Sequence, residues 1–204
     1  MMRRFALFAI AAAAFAQPTP IAFTGARLIP ISGPEIPNGV LVVQNGKIVA
    51  AGPAASTVIP AGAQRVDASG KIIMPGLVDS HSHIMGPEGA DGSAALQPDV
   101  RILDSLDVRD SRLQKAQSGG ITVANVMPGS GHVLSGQTLY VKLRDGRIID
   151  DMLIKLPDGS IAGGIKMANG TNPRRAAPFP GTRGKTMAMA RDLFIKTQEY
   201  RDKV

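Results

Sequence analysis

One stretch constrains the fold of this chain more than any other. It is Pro75-Gly76-Leu77-Val78-Asp79-Ser80-His81-Ser82-His83, a short apolar run opened by Pro-Gly and closed by two histidines one residue apart. As a strand, it alternates its side chains between two faces. His81 and His83 then share a face with Cα atoms ~7 Å apart, so both imidazoles can reach one ion. Spacing alone leaves a second reading open, in which the two are polar strand-end residues, hydrogen-bonded and without metal.

Around this run the chain changes character. From Ile21 to Met74 it reads as short strands punctuated by Gly and Pro: Ile21 to Phe23, Ala26 to Ile29, Val40 to Val43, Lys47 to Ala51 and Arg65 to Asp67. Asn45-Gly46 is a two-residue hairpin signal, because both central positions of a type I′ turn need positive φ. A small all-β module over residues 17–74 follows. After Pro75 strands alternate with helices, which predicts a parallel α/β layout over 75–204. Asp107 is the expected N-cap of a helix over Val108 to Ser118, with Asp110 in its first turn, Leu113 and Ala116 inward, and Gly119-Gly120 ending it. Ile121 to Val126 is then the next buried strand, so the two histidines close the first strand of a strand-helix-strand unit.

Farther on, Gly129 to Gln137 reads as a Gly/Ser loop, and Leu139 to Leu143 and Arg147 to Leu156 as strands around Asp145-Gly146 and Asp158-Gly159 turns, an excursion from the α/β layout. Asn172 to Gly181, with three prolines and two arginines, is a loop. Thr182 to Lys203 is an amphipathic helix with Met187, Ala190, Leu193 and Phe194 on its inner side.

The N-terminus departs from this globular pattern. Met1-Met2-Arg3-Arg4, an apolar run from Phe5 to Phe15 and Ala14-Phe15-Ala16 have the form of a secretory signal cleaved after Ala16, and the run is too short to span a bilayer. The mature chain is therefore expected in the periplasm or secreted, with no membrane segment. It has no cysteine, so no disulfide stabilises it and no lipid anchor is attached through one. The net charge of +7 is spread along the chain, with no nucleic-acid motif and few aromatics for base stacking, so a nucleic-acid partner is not expected.

Three stretches together resemble the N-terminal part of the metal-dependent amidohydrolase superfamily, closest to its imidazolonepropionase-like members: Asn45-Gly46-Lys47-Ile48 in the β-rich start, Gly70 through His83, and Gly119-Gly120-Ile121-Thr122-Val123. The resemblance implies N-terminal β-sandwich strands followed by the first part of an incomplete (β/α)8 TIM barrel, with His81 and His83 at the C-terminal end of its first strand. It implies that these two bind a divalent metal, commonly zinc, with Asp79 supporting them. The metal would polarise a carbonyl and activate water for attack on carbon-nitrogen bonds of small amide-like substrates. Pro75 to Val204 is about half of the ~250 residues such a barrel takes. Nothing in it matches the family's later histidines and aspartate base, so the catalytic residues are unassigned. A non-catalytic remnant or interaction module, with a partner chain or homo-oligomer completing the barrel, is the alternative.

Two further candidates remain. Lys166, between Ile165 and Met167, suits the carboxylated lysine by which some amidohydrolases bridge two metals, or else reaches solvent from a strand edge. His132, in the Gly/Ser loop, is either a surface residue or one facing substrate.

Overall fold

In the computed structural model, which describes residues 19–87 and 91–204, Asn45 and Gly46 take φ of 54° and 70°. Both are the left-handed values a type I′ hairpin demands. The expected signal at 1–16 lies outside the described residues. The chain divides into two units, one ending at Pro75 and one beginning at Gly76.

The first unit is one mixed sheet. Its strands are β1 (Ile21–Leu28), β2 (Ile36–Gln44), β3 (Lys47–Pro53), β4 (Gln64–Asp67) and β5 (Ile72–Ile73), in the order β3-β2-β1-β4, with β5 pairing the far end of β1. Antiparallel β1 and β2 bury Ala22, Val40 and Val42 on one side, the period-2 pattern of a half-buried sheet. The two strands expected between Ile21 and Ile29 are a single strand, irregular at Gly25. There φ is +79° and a Cβ would stand 2.5 Å from Ser69 Oγ, so a residue without one lets the strand continue where a break was expected. A sandwich needs a second sheet, and the described residues of this unit form one.

The second unit is built on a four-stranded sheet: β6 (Leu77–Ser82), β7 (Ile121–Val126), β8 (Leu134–Lys142) and β9 (Gly163–Met167), in that order. β6 and β7 are parallel, joined through helix α1 (Ser111–Ser118), as the strand-helix-strand reading requires. The helix starts later than expected. Asp110, not Asp107, caps it by accepting from Arg112 N at 2.9 Å, because the Asp107 carboxylate is already turned onto Arg109 N at 2.8 Å. Asp110→Ala is expected to cost about 1 kcal/mol, a typical N-cap loss, and urea unfolding of the chain checks it.

Here the layout departs from the all-parallel expectation. β8 begins inside the expected Gly/Ser loop and pairs antiparallel with β7, so the stretch is a member of the central sheet and not an excursion. Arg147 to Leu156 forms no strand. It carries a 3-10 turn at Ile149–Asp151 and bridges β8 only at Val141–Leu153. Met152, wholly buried, anchors the turn in the core with Leu113, Ala124, Val126, Leu139 and Val141. Burying those side chains is worth roughly 1.5–3 kcal/mol each for the larger ones.

Helix α2 (Arg183–Lys203) is capped by Thr182, whose hydroxyl accepts from Lys185 N. Its expected inner face is only partly inner. Ala190 and Thr186 are buried, whereas Met187 and Phe194 are half exposed, at 49% and 52%. No helix among the described residues is long and apolar enough to cross a membrane.

Candidate functional site

β9 runs antiparallel to β8, which runs antiparallel to β7. β6, β7 and β9 therefore all point the same way, and their C-terminal ends share one edge of the sheet. His81 and His83 end β6, Met127 follows β7, and Lys166 lies near the end of β9.

A bulge sets the histidines. Asp79 stands opposite Ala124 and Ser82 opposite Val126, so three steps on β6 span two on β7. The extra residue takes the His81 N–H out of the regular ladder, and Asp79 Oδ1 accepts it at 3.0 Å. That bond holds the bulge. Ser82 is turned inward and buried, leaving His81 and His83 exposed on either side with ring centroids 5.2 Å apart.

The hydrogen bonds decide which nitrogens are free. His83 Nδ1 lies 2.7 Å from the carbonyl oxygen of Met127. A carbonyl only accepts, so Nδ1 carries the proton and Nε2 keeps its lone pair. This carbonyl-to-imidazole contact is the kind that orients metal-ligating histidines. On the other ring, Nε2 of His81 lies 3.1 Å from Lys166 Nζ. A protonated lysine donates, so His81 Nε2 accepts.

Lys166 is only 9% exposed, and its second contact is the Met127 thioether, to which Nζ donates at 3.4 Å. On β9 it pairs with Gly136 and shares the face of Tyr140 and Asn125, opposite the Leu139–Val141 core face. Burial, with no carboxylate partner among the described residues, holds its pKa below the usual lysine value. The Lys166 charge in turn holds the His81 pKa below 6.5, helped by burial and by His83 and opposed by Asp79. The cluster favours a neutral His81 imidazole and a Lys166 amine that gives up its proton more readily than a solvated lysine.

Sequence spacing pairs the two histidines, and the fold adds Lys166 from 85 residues away. Met127 was not singled out in the sequence. Its signal was present, since the residue after the second parallel strand must stand beside the end of the first. His132 is in neither the His81–His83–Lys166 cluster nor the solvent. It is 5% exposed, ring to ring with Phe179 at 5.1 Å, and its Nε2 is 3.4 Å from Arg175 Nη2.

Burial, then the Arg175 charge, push the His132 pKa below 6.5, with Asp91 opposing. An unfolded chain takes up this proton near 6.5 and the folded one only at lower pH. Between the two values the unfolded state binds more protons, so stability rises with pH. Urea unfolding between pH 7.5 and pH 5 is expected to show a steeper acid loss in the parent than in His132→Gln.

Comparison with known proteins places this arrangement. No protein-family model matches the chain. A 5-methylthioadenosine/S-adenosylhomocysteine deaminase of Symbiobacterium thermophilum is 46% identical over 61 residues, 29% of this chain and 14% of that protein. An imidazolonepropionase of Rhizobium rhizogenes is 35% identical over 104 residues, 50% of this chain and 23% of the relative. The solved structure of an amidohydrolase from Thermotoga maritima superposes with a TM-score of 0.77 at 32% identity, over 90% of this chain and 49% of that one. These likenesses support the amidohydrolase superfamily, whose N-terminal portion the chain resembles. It matches under a quarter of the length of these two curated relatives and about half of the solved one.

Proposed function

We propose that this chain carries part of the active site of a metal-dependent hydrolase acting on non-peptide or dipeptide carbon-nitrogen bonds, with the second unit forming the first strands of a (β/α)8 barrel. One observation carries the reading. The Met127 carbonyl fixes the His83 tautomer so that Nε2 is unprotonated, beside a second imidazole whose Nε2 is likewise an acceptor.

The residues fit a divalent ion. His81 and His83 would hold it through their Nε2 atoms, with Asp79 fixing the His81 backbone. As an ammonium, Lys166 would oppose a metal at this place. As a carbamate, the carboxylated state the family resemblance implies, it would supply an anionic oxygen donor. A metal bound here contributes Lewis acidity toward a carbonyl and toward water. Zinc suits a site of imidazoles and one oxygen donor. An N-terminal signal at 1–16 would put this chemistry outside the cytoplasm.

Chelator-competition titration with zinc tests the reading. The double variant His81→Ala with His83→Ala is expected to lose more than about 100-fold in affinity, since removing even a group that supports a ligand costs 10–100-fold. Equal binding by parent and variant would overturn the assignment. One observation favours the second reading, a non-catalytic module needing a partner chain: among the described residues, no three His, Cys, Asp or Glu side chains converge on one point. Zinc binding without hydrolysis of any dipeptide or cyclic amide would select it.

A further inference from the structure

The hydrogen-bond ladder that places the histidines stops one residue short of the second. The Ser82 carbonyl accepts the Met127 N–H at 3.0 Å, and β6 ends there. His83 therefore lies past the sheet, and among the described residues no backbone N–H reaches its carbonyl. A side chain does so instead. Arg112 Nη1, from the first turn of α1 and 29 residues along the chain, donates to the His83 carbonyl at 3.2 Å.

Arg112 is itself locked in place. Its Nε stands 3.0 and 2.8 Å from the two carboxylate oxygens of Asp110, and its Nη2 2.6 Å from Oδ2. That carboxylate is 10% exposed and is fixed as the helix cap, accepting from Arg112 N at 2.9 Å. A guanidinium is planar and rigid, so with two of its nitrogens held by Asp110 the direction of the third is set. Capping accounts for the bond between Asp110 and Arg112 N. It does not account for a third nitrogen bonded to a residue at the end of another element.

The turn that follows His83 needs such a clamp. Met85 and Gly86 take φ of 66° and 64° in succession, and for Met85 that is a left-handed conformation which residues with a Cβ rarely adopt. Its side chain is wholly buried in the core with Leu113, and its carbonyl accepts from Asp107 N at 2.9 Å. Arg112 first, and to a smaller degree the Met85 N–H, hold the Asp110 carboxyl below the usual carboxylate range. The segment entering α1 thus grips the turn at both ends: Asp107 and Asp110 at Met85, and Arg112 at His83.

We infer that Arg112 is a positioning residue for His83: locked by Asp110, it holds the His83 carbonyl so that Nδ1 keeps its bond to the Met127 carbonyl and Nε2 stays unprotonated beside His81. This deepens the proposed metal site. It rests on that reading for what Nε2 holds, and not for whether the ring is held.

The test uses the full chain, stripped of metal, with isotope-labelled histidine rings read by nuclear magnetic resonance at mildly alkaline pH. In the parent, His83 is expected as a single tautomer with its proton on Nδ1. Arg112→Met should release the ring into an average of both tautomers, while the signals of His132, whose neighbours are Phe179 and Arg175, stay as in the parent. Arg112→Lys keeps the charge without the planar fork and should lie between. Asp110→Ser retains an N-cap oxygen but not the carboxylate that locks the guanidinium, so it should loosen His83 with little change in urea unfolding. It also decides the question should Arg112→Met fail to fold. In zinc titration by chelator competition, Arg112→Met should lose about 10-fold in affinity, the lower end of the range for groups that support a ligand. A single Nδ1–H tautomer of His83 in both Arg112→Met and Asp110→Ser, or His132 signals that change as much as those of His83, would overturn the inference. A parent that binds no zinc at the histidines would overturn the metal reading alone, since the ring signals are read without metal.

Discussion

Lys166→Ala is expected to weaken zinc binding about 10–100-fold when bicarbonate is present, the range seen when a group supporting a metal site is lost. The sign of the effect is the informative part. If Lys166 stays an ammonium 3.1 Å from His81 Nε2, it repels the metal, and removing it tightens binding. If its amine adds to the carbon of carbon dioxide and releases a proton, the product is a carbamate anion that attracts the metal. Removing that weakens binding. Burial favours the second course, because it lowers the lysine pKa and raises the share of neutral amine that can react. Isothermal titration with zinc, with and without bicarbonate, separates the two. A carbamate carbon signal from labelled bicarbonate, present in the parent and missing from Lys166→Ala, is the accompanying readout.

Gly163→Val is expected to abolish cooperative folding of the Gly76–Val204 unit, at a cost of at least about 3 kcal/mol, the upper part of the range for overpacked sites. A Cβ on residue 163 would stand 2.1 Å from the Thr138 carbonyl oxygen and 3.2 Å from the Leu139 Cα. These are backbone atoms of the neighbouring strand and cannot swing aside. Relief requires β8 and β9 to part, although they are tied there by Gly164 N donating to Thr138 Oγ1 at 3.0 Å. Because β9 carries Lys166, the loss of pairing also removes the amine from His81. Urea unfolding followed by circular dichroism measures the first effect, and zinc affinity the second. Gly163→Ala should show both in milder form.

The local signals in the sequence were good guides where the backbone decided the matter alone. Asn45-Gly46 turns as its φ preference dictates, and Gly119-Gly120 ends α1 with the Gly119 N–H bonded to the Lys115 and Ala116 carbonyls. They were poorer where a choice between neighbours was needed. Asp107 is the expected N-cap in sequence, and Asp110 falls in the expected first turn. Only the Asx turn at Asp107 shows why the helix waits for the second.

β8 was the larger surprise. Gly131 to Gly136 has the composition of a loop, yet its strand is specified by partners on both sides, Val126 with Leu139 and Met167 with Leu134. No window of local sequence contains those pairings. The exposure of Met187 and Phe194 has the same root: helical periodicity predicts which residues share a face, and packing alone decides how much of that face is covered.

For the site, the histidine pair was legible because both imidazoles lie on one strand. The sequence does not show the bulge at which Asp79 accepts the His81 N–H. Lys166 could be placed only by the register of β9 on β8. The contact of His132 with Arg175 depends on two loops that the sequence shows merely as rich in Gly and Pro.

Anomalous diffraction at the zinc edge, from crystals of the chain grown with zinc, addresses the metal assignment most directly. The expected result is a peak about 2.0–2.1 Å from both His81 Nε2 and His83 Nε2, with the His83 Nδ1 contact to the Met127 carbonyl retained. No peak between the two imidazoles, or zinc bound only elsewhere on the chain, would contradict it.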